Sequence, residues 1–131
     1  MTKFILYTDG ASSSNPGPSG IGFVVYKNDK KIFEGSKYIG ISTNNQAEYT
    51  ALVEGLRFLI SKNIKEVNVF LDSQLVVKQL NGAYKVRNTY IKKLFYRVVS
   101  LMKEFKGISI KYIPREKNKE ADKLAKSAIR F

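Results

Sequence analysis

The order in which the apolar patterns of this chain change period limits its possible folds more than any other feature. Three strand-like runs come first, at residues 3–8, 21–26 and 31–38. A Gly/Ser/Pro-rich stretch at residues 10–20 separates the first two and reads as a loop, and Asn28-Asp29 makes a turn between the second and third. A helical pattern then runs over residues 43–60, with Leu52, Leu56 and Leu59 on one stripe and Thr43 or Asn44 as the N-cap. Residues 67–71 form a fourth strand and 73–80 a short helix that stops near Asn81-Gly82. A longer helix spans 88–105, with Ile91, Leu94, Phe95, Val98, Leu101 and Met102 turned inward. A fifth strand at 108–113 and a last helix at 120–129 complete the chain. This βββαβααβα order predicts an α/β fold. Its sheet is mixed and five-stranded, the first three strands antiparallel, the fourth and fifth parallel to the first, with helices flanking it.

At 131 residues, without an internal repeat or linker, the chain reads as a single domain over residues 1–131. It has no cysteine and no histidine, which removes thiolate metal sites, the usual zinc ligands and the usual general base together. Any metal chemistry must therefore use oxygen ligands, which suit hard cations such as Mg2+ or, as an alternative, Mn2+. A net charge of +12 points to a polyanionic partner, nucleic acid first, against the plainer reading of simple solubility. The first nine residues reach a polar turn too soon for a signal peptide, and no apolar run approaches the ~20 residues that span a bilayer. The expectation is a soluble, cytoplasmic monomer without a membrane partner.

Four acids sit where plain surface charge does not belong. Asp9 ends the buried run Phe4-Ile5-Leu6-Tyr7, and Asp72 follows Val69-Phe70-Leu71. Each has a structural explanation of its own, Asp9 as a turn former before Gly10 and Asp72 as the cap of the next helix. Glu48 lies four residues before Leu52 and eight before Leu56, on the apolar stripe, unless it only favours the helix N-terminus. Asp122 lies three residues before Ala125 and seven before Ile129, on the apolar face of the last helix. Taken together, two acids at strand ends and two on inward helix faces suggest a cluster. Converging carboxylates repel strongly unless cations relieve them.

These residues also form a recognisable set: Tyr7-Thr8-Asp9-Gly10-Ala11-Ser12, Asn15-Pro16-Gly17, Thr43-Asn44-Asn45-Gln46-Ala47-Glu48, Asp72-Ser73-Gln74 and Asn118-Lys119-Glu120-Ala121-Asp122-Lys123-Leu124-Ala125. In this order, across nearly the whole chain, they resemble type 1 ribonuclease H. The resemblance implies a ribonuclease H-like fold and hydrolysis of the RNA strand of RNA–DNA hybrids. It implies Asp9, Glu48, Asp72 and Asp122 as ligands of two Mg2+ ions, with Asp9 bridging them. On the same resemblance, one ion would activate the attacking water and the other would stabilise the leaving 3′ oxygen, giving 5′-phosphate and 3′-hydroxyl ends. It further implies that Asn15, Asn44, Asn45 and Gln74 read the minor groove, where amides that donate and accept suit 2′-hydroxyls and base edges. Thr43 would grip a DNA-strand phosphate.

Two departures stand out. Many relatives carry a histidine in the loop before the last acid; here that loop reads Ile113-Pro114-Arg115-Glu116-Lys117-Asn118. Arg115, rather than Glu116, is the expected substitute, a cation that draws product phosphate away, unless both are merely solvated charges. Some relatives also grip the DNA strand with a tryptophan-bearing basic protrusion; here Gly82-Ala83-Tyr84-Lys85-Val86-Arg87-Asn88 passes straight to the next helix, and the chain has no tryptophan. Tyr84 stacking on a sugar, with Lys85 and Arg87 on phosphates, is the expected replacement; the alternative is Tyr84 packed on the core and both cations solvated. The rival readings are a catalytically inactive nucleic-acid-binding module of this fold, and an enzyme with the same metal chemistry but a different substrate, since the fold also hosts integrases, transposases and resolvases.

Overall fold

The structure is a computed structural model that describes residues 2–131. Its elements run in the order β1 (Phe4–Ser12), β2 (Gly17–Lys27), β3 (Lys30–Ser42), α1 (Asn44–Ser61), β4 (Glu66–Leu71), α2 (Gln74–Leu80), α3 (Thr89–Met102), β5 (Gly107–Tyr112) and α4 (Lys119–Ser127), with a 3-10 turn at Arg115–Lys117. The five strands form one sheet in the order β3-β2-β1-β4-β5. β2 pairs antiparallel with both β1 and β3, while β4 is parallel to β1 and to β5. The mixed sheet expected from the sequence is therefore the one found, with β1 at its centre.

The element bounds differ from the sequence expectation in three places. Residues 10–20 are largely strand, because β1 and β2 stay paired as far as Ser12 opposite Ser19. Small polar residues in this hairpin suppress the apolar signal, and only residues 13–16 are loop. β3 likewise extends to Ser42. α3 is shorter than expected, ending at Met102, although Phe105 beyond it is still buried.

The core lies between the sheet and α1. Leu52, Leu56 and Leu59 are fully buried, as are Leu6, Val25 and Val69 from the strands and Val98 from α3. Each such aliphatic side chain contributes about 1.5–3 kcal/mol on burial. Gly22 governs the opposite face. A Cβ there would meet the backbone of Ala121 and Ala125 at 2.5–2.6 Å, so only glycine lets α4 lie this close to β2. That contact brings the Asp122 helix to the end of β1.

Candidate active site

The last paired residues of β1 and β4 are Tyr7 and Phe70. Beyond them the two parallel strands separate, and carrying the register on by two residues sets Asp9 level with Asp72. A split between neighbouring strands at their carboxyl ends is where open α/β sheets place ligands. Here it is a cleft of about 470 Å³, lined by Asp9, Glu48, Asp72 and Asp122 together with Gly10, Ser12, Asn44, Asn45, Ser73, Arg115 and Lys126.

Glu48 enters the cleft through a close approach of α1 to β1. A Cβ on Gly10 would collide with the backbone of Ala47 and Glu48, so this glycine is a packing requirement. The Gly10 N–H donates to Glu48 Oε1 at 2.5 Å. The other oxygen, Oε2, is buried without a hydrogen-bond partner. One carboxylate oxygen from each of Asp9, Glu48 and Asp72 lies within 4.8 Å of the others. Asp122 lines the same cleft, and Lys126 Nζ sits 3.1 Å from its carboxylate, one helical turn on.

Burial, then the neighbouring Glu48 and Asp72 carboxylates, push the Asp9 carboxyl far above the usual carboxylate range. Burial also raises Glu48, against the lowering influence of the neighbouring Asp9 carboxyl and of the Gly10 N–H. Asp72 is raised by burial too, and held back by Asn118 and by the positive charge of Arg115. By itself the cluster holds protons that a cation would replace. The donor set fits a hard divalent ion: carboxylate oxygens only, three of them mutually close, one buried oxygen with no partner.

The other residues singled out by the sequence fall into two groups. Around the cleft, Thr43 caps α1, its hydroxyl accepting from Gln46 N while the Gln46 side chain accepts from Thr43 N. Asn44 is therefore the first residue of the helix and not its cap. Its Oδ1 accepts from Ser12 N at 3.2 Å, and Asn15 Oδ1 accepts from Asn44 N at 3.0 Å. With both amide oxygens engaged internally, the NH2 groups of Asn15 and Asn44 are left to donate outward. Asn45 and Gln74 are exposed at the starts of α1 and α2. Ser73 caps α2, so Asp72 is not needed as a cap. Arg115 is exposed at the cleft wall.

Tyr84, Lys85 and Arg87 form the second group, on the segment between α2 and α3 and not among the residues lining the cleft. Tyr84 is 50% exposed with Lys78 Nζ 5.1 Å from its ring centre, so it is not a core residue. Lys126 and Asn118 carried no role in the sequence reading. Lys126 had a signal, its spacing of four from Asp122 on one helix. Asn118 had only its place in a motif.

Sheet order and the acids at its central split define a ribonuclease H-like domain, and residues 7–128 match the family model described as "Reverse transcriptase-like". The chain belongs to the type 1 ribonuclease H family. It is 40% identical over 124 residues to ribonuclease HI of Halobacterium salinarum, covering 94% of this chain and 62% of that protein. The crystal structure of that archaeon's ribonuclease H1 superposes with a TM-score of 0.93 at 38% identity, covering 96% of both chains. The N-terminal ribonuclease H domain of Rv2228c from Mycobacterium tuberculosis gives the same TM-score, 0.93, and 38% identity over 98% of this chain and 99% of that one. The full Rv2228c is named a bifunctional protein, and the chain spans 35% of its length. LC11-RNase H1, isolated from compost and solved in complex with an RNA/DNA hybrid, is 41% identical with a TM-score of 0.92, covering 97% of this chain and 96% of that one. Among the described residues no helix is long and apolar enough to cross a membrane.

Proposed function

We propose that this domain is an endonuclease that hydrolyses the RNA strand of RNA–DNA hybrids, using two divalent metal ions, Mg2+ or Mn2+. The observation that carries the reading is the trio of carboxylates at the β1–β4 split, with Glu48 Oε2 buried and unpartnered among them. A buried anion without a partner is costly unless a cation completes it. Asp9, Glu48, Asp72 and Asp122 would hold the ions. When bound, divalent ions supply Lewis acidity that makes water a competent nucleophile and offsets charge on the departing oxygen.

The remaining residues bind and orient. Asn15 and Asn44 present amide donors to minor-groove acceptors and 2′-hydroxyls, joined by Asn45 and Gln74. Recognition of this kind depends on ribose and tolerates any base sequence. The Thr43 hydroxyl, which accepts within its cap, keeps its proton to donate to a DNA-strand phosphate. Tyr84, Lys85 and Arg87 lie on the exposed segment beyond α2 and extend the grip on that strand. Water attacks phosphorus in line and the 3′ oxygen leaves, so one fragment carries a 5′-phosphate and the other a 3′-hydroxyl. Arg115, a cation at the cleft wall, draws the product phosphate away.

The test compares labelled RNA–DNA, RNA–RNA and DNA–DNA duplexes, with and without Mg2+, for wild type and Asp9→Asn. Mg2+-dependent cutting of the RNA strand in the hybrid, lost in Asp9→Asn, is the expected result. Binding without cutting would leave an inactive module of the same fold; cutting of DNA–DNA alone would change the substrate class.

A further inference from the structure

Among the described residues, Asn118 is one of those that bury a side-chain polar atom without a partner. It is 2% exposed and stands at the junction between the Arg115–Lys117 turn and α4. Asparagine at the start of a helix ordinarily turns its side-chain oxygen back to cap the helix's own N–H groups. Asn118 makes no such bond. Its Nδ2 reaches away from the helix, donating to the Thr8 carbonyl at 2.9 Å and to Asp72 Oδ2 at 3.3 Å. The Thr8 carbonyl can only accept, which fixes the amide's NH2 on that side. Its Oδ1 is left buried with no partner. The backbone of the same residue accepts from Asp122 N at 3.1 Å. A forgone cap and an orphaned oxygen are two local costs at one position, and such costs gather where function holds the geometry.

We propose that Asn118 is a positioning residue for the acid cluster: one side chain ties the backbone just before Asp9 and the carboxylate of Asp72 to the helix that carries Asp122. Three of the four acids belong to elements that do not follow one another in sequence, and this amide is the hydrogen-bonded joint among them. Its donation to Asp72 fixes one carboxylate oxygen and so orients the other. The bond to the Thr8 carbonyl sets the height of α4, and hence of Asp122, against the end of β1. This inference rests on the acid cluster being a metal site.

The experiment is calorimetric titration of Mn2+ into the free protein, without nucleic acid, for wild type, Asn118→Ala and Val98→Ala. Val98 is fully buried on α3 and outside the cleft, so its variant loses stability without touching the acids. Asn118→Ala is expected to lower Mn2+ affinity about 10–100-fold, with a parallel fall in kcat on the hybrid and KM within about twofold. Val98→Ala is expected to lower Tm and leave Mn2+ affinity at the wild-type value. Asn118→Ser, whose hydroxyl is too short to reach both acceptors, carries the same expected loss if the alanine variant does not fold. Equal Mn2+ affinity in wild type and Asn118→Ala, or equal losses in Asn118→Ala and Val98→Ala, would overturn the positioning role alone. A wild type that binds no Mn2+ would overturn the metal reading of the cluster and the inference with it.

Discussion

A carboxylate with one oxygen hydrogen-bonded and the other buried without a partner destabilises the fold that contains it, and Glu48 is in that position. Replacing it with glutamine tests the cost directly. The amide oxygen would still accept from Gly10 N, and the new NH2 would donate toward Asp9, the neighbour whose carboxyl Glu48 now opposes. Glu48→Gln is expected to stabilise the metal-free protein by an amount on the order of 2 kcal/mol, since an ionisable group leaves a buried site where its charged form is disfavoured. It is also expected to abolish the Mg2+-induced rise in Tm expected of wild type. Thermal melts of both proteins, with and without Mg2+, check the pair of effects. A variant less stable than wild type without metal would contradict the argument. The burial of Glu48 was legible from its spacing to Leu52 and Leu56, because helix periodicity alone assigns a face. The role argued for Asn118 was not legible. Its partners, Thr8 and Asp72, lie 110 and 46 residues away, and nothing local encodes that meeting.

Among the elements, the sequence marks those whose apolar period is strong and conceals those built from small polar residues. The α1 stripe, the central β1 and the α2 stop at Asn81-Gly82 could be read directly, and Gly82 does take a positive φ of 83°. The β1–β2 hairpin could not. Ser12, Ser19 and Gly20 lack apolar surface, yet they pair as strand because their backbone groups bond across it and Ser12 and Ser19 meet through their hydroxyls. Gly20 and Gly22 of β2 answer to tertiary packing, leaving room for α4, which overrides their poor strand propensity. The α1 N-terminus lies between these cases. Composition left Thr43 and Asn44 as alternative caps; the reciprocal bonds with Gln46 settle on Thr43 and free Asn44 to face the cleft. Thr43→Ala is accordingly expected to lower stability by about 1 kcal/mol, a few degrees in Tm, whereas Asn44→Ala should cost less because no capping bond is lost. Denaturant midpoints for the two variants decide this; the reverse order would mean that the cap does not hold the helix start.

For the whole molecule, proton and metal binding are linked through the same carboxyls. Burial raises Asp9, Glu48 and Asp72 above their ordinary values in the metal-free fold. Native protein therefore keeps protons that the unfolded chain has already released, so metal-free stability is greatest in acid and declines as pH rises from the ordinary carboxyl range toward the raised folded-state values. A divalent ion reverses the sign, since it binds the ionised carboxylates and displaces their protons, and its affinity grows with pH. The chain contains no histidine, so no imidazole titration overlays this region. Between about pH 5 and pH 8, Tm without metal is expected to fall, Tm with saturating Mg2+ to hold or rise, and the gap between the two curves to widen steadily. Calorimetry of Mg2+ binding in two buffers of different ionisation enthalpy should register proton release on binding, with fewer protons released at the upper end of the range as the cluster deprotonates on its own. A gap that stays constant with pH, together with no proton release, would mean that the ions bind elsewhere on the surface and that the buried carboxyls take no part in holding them.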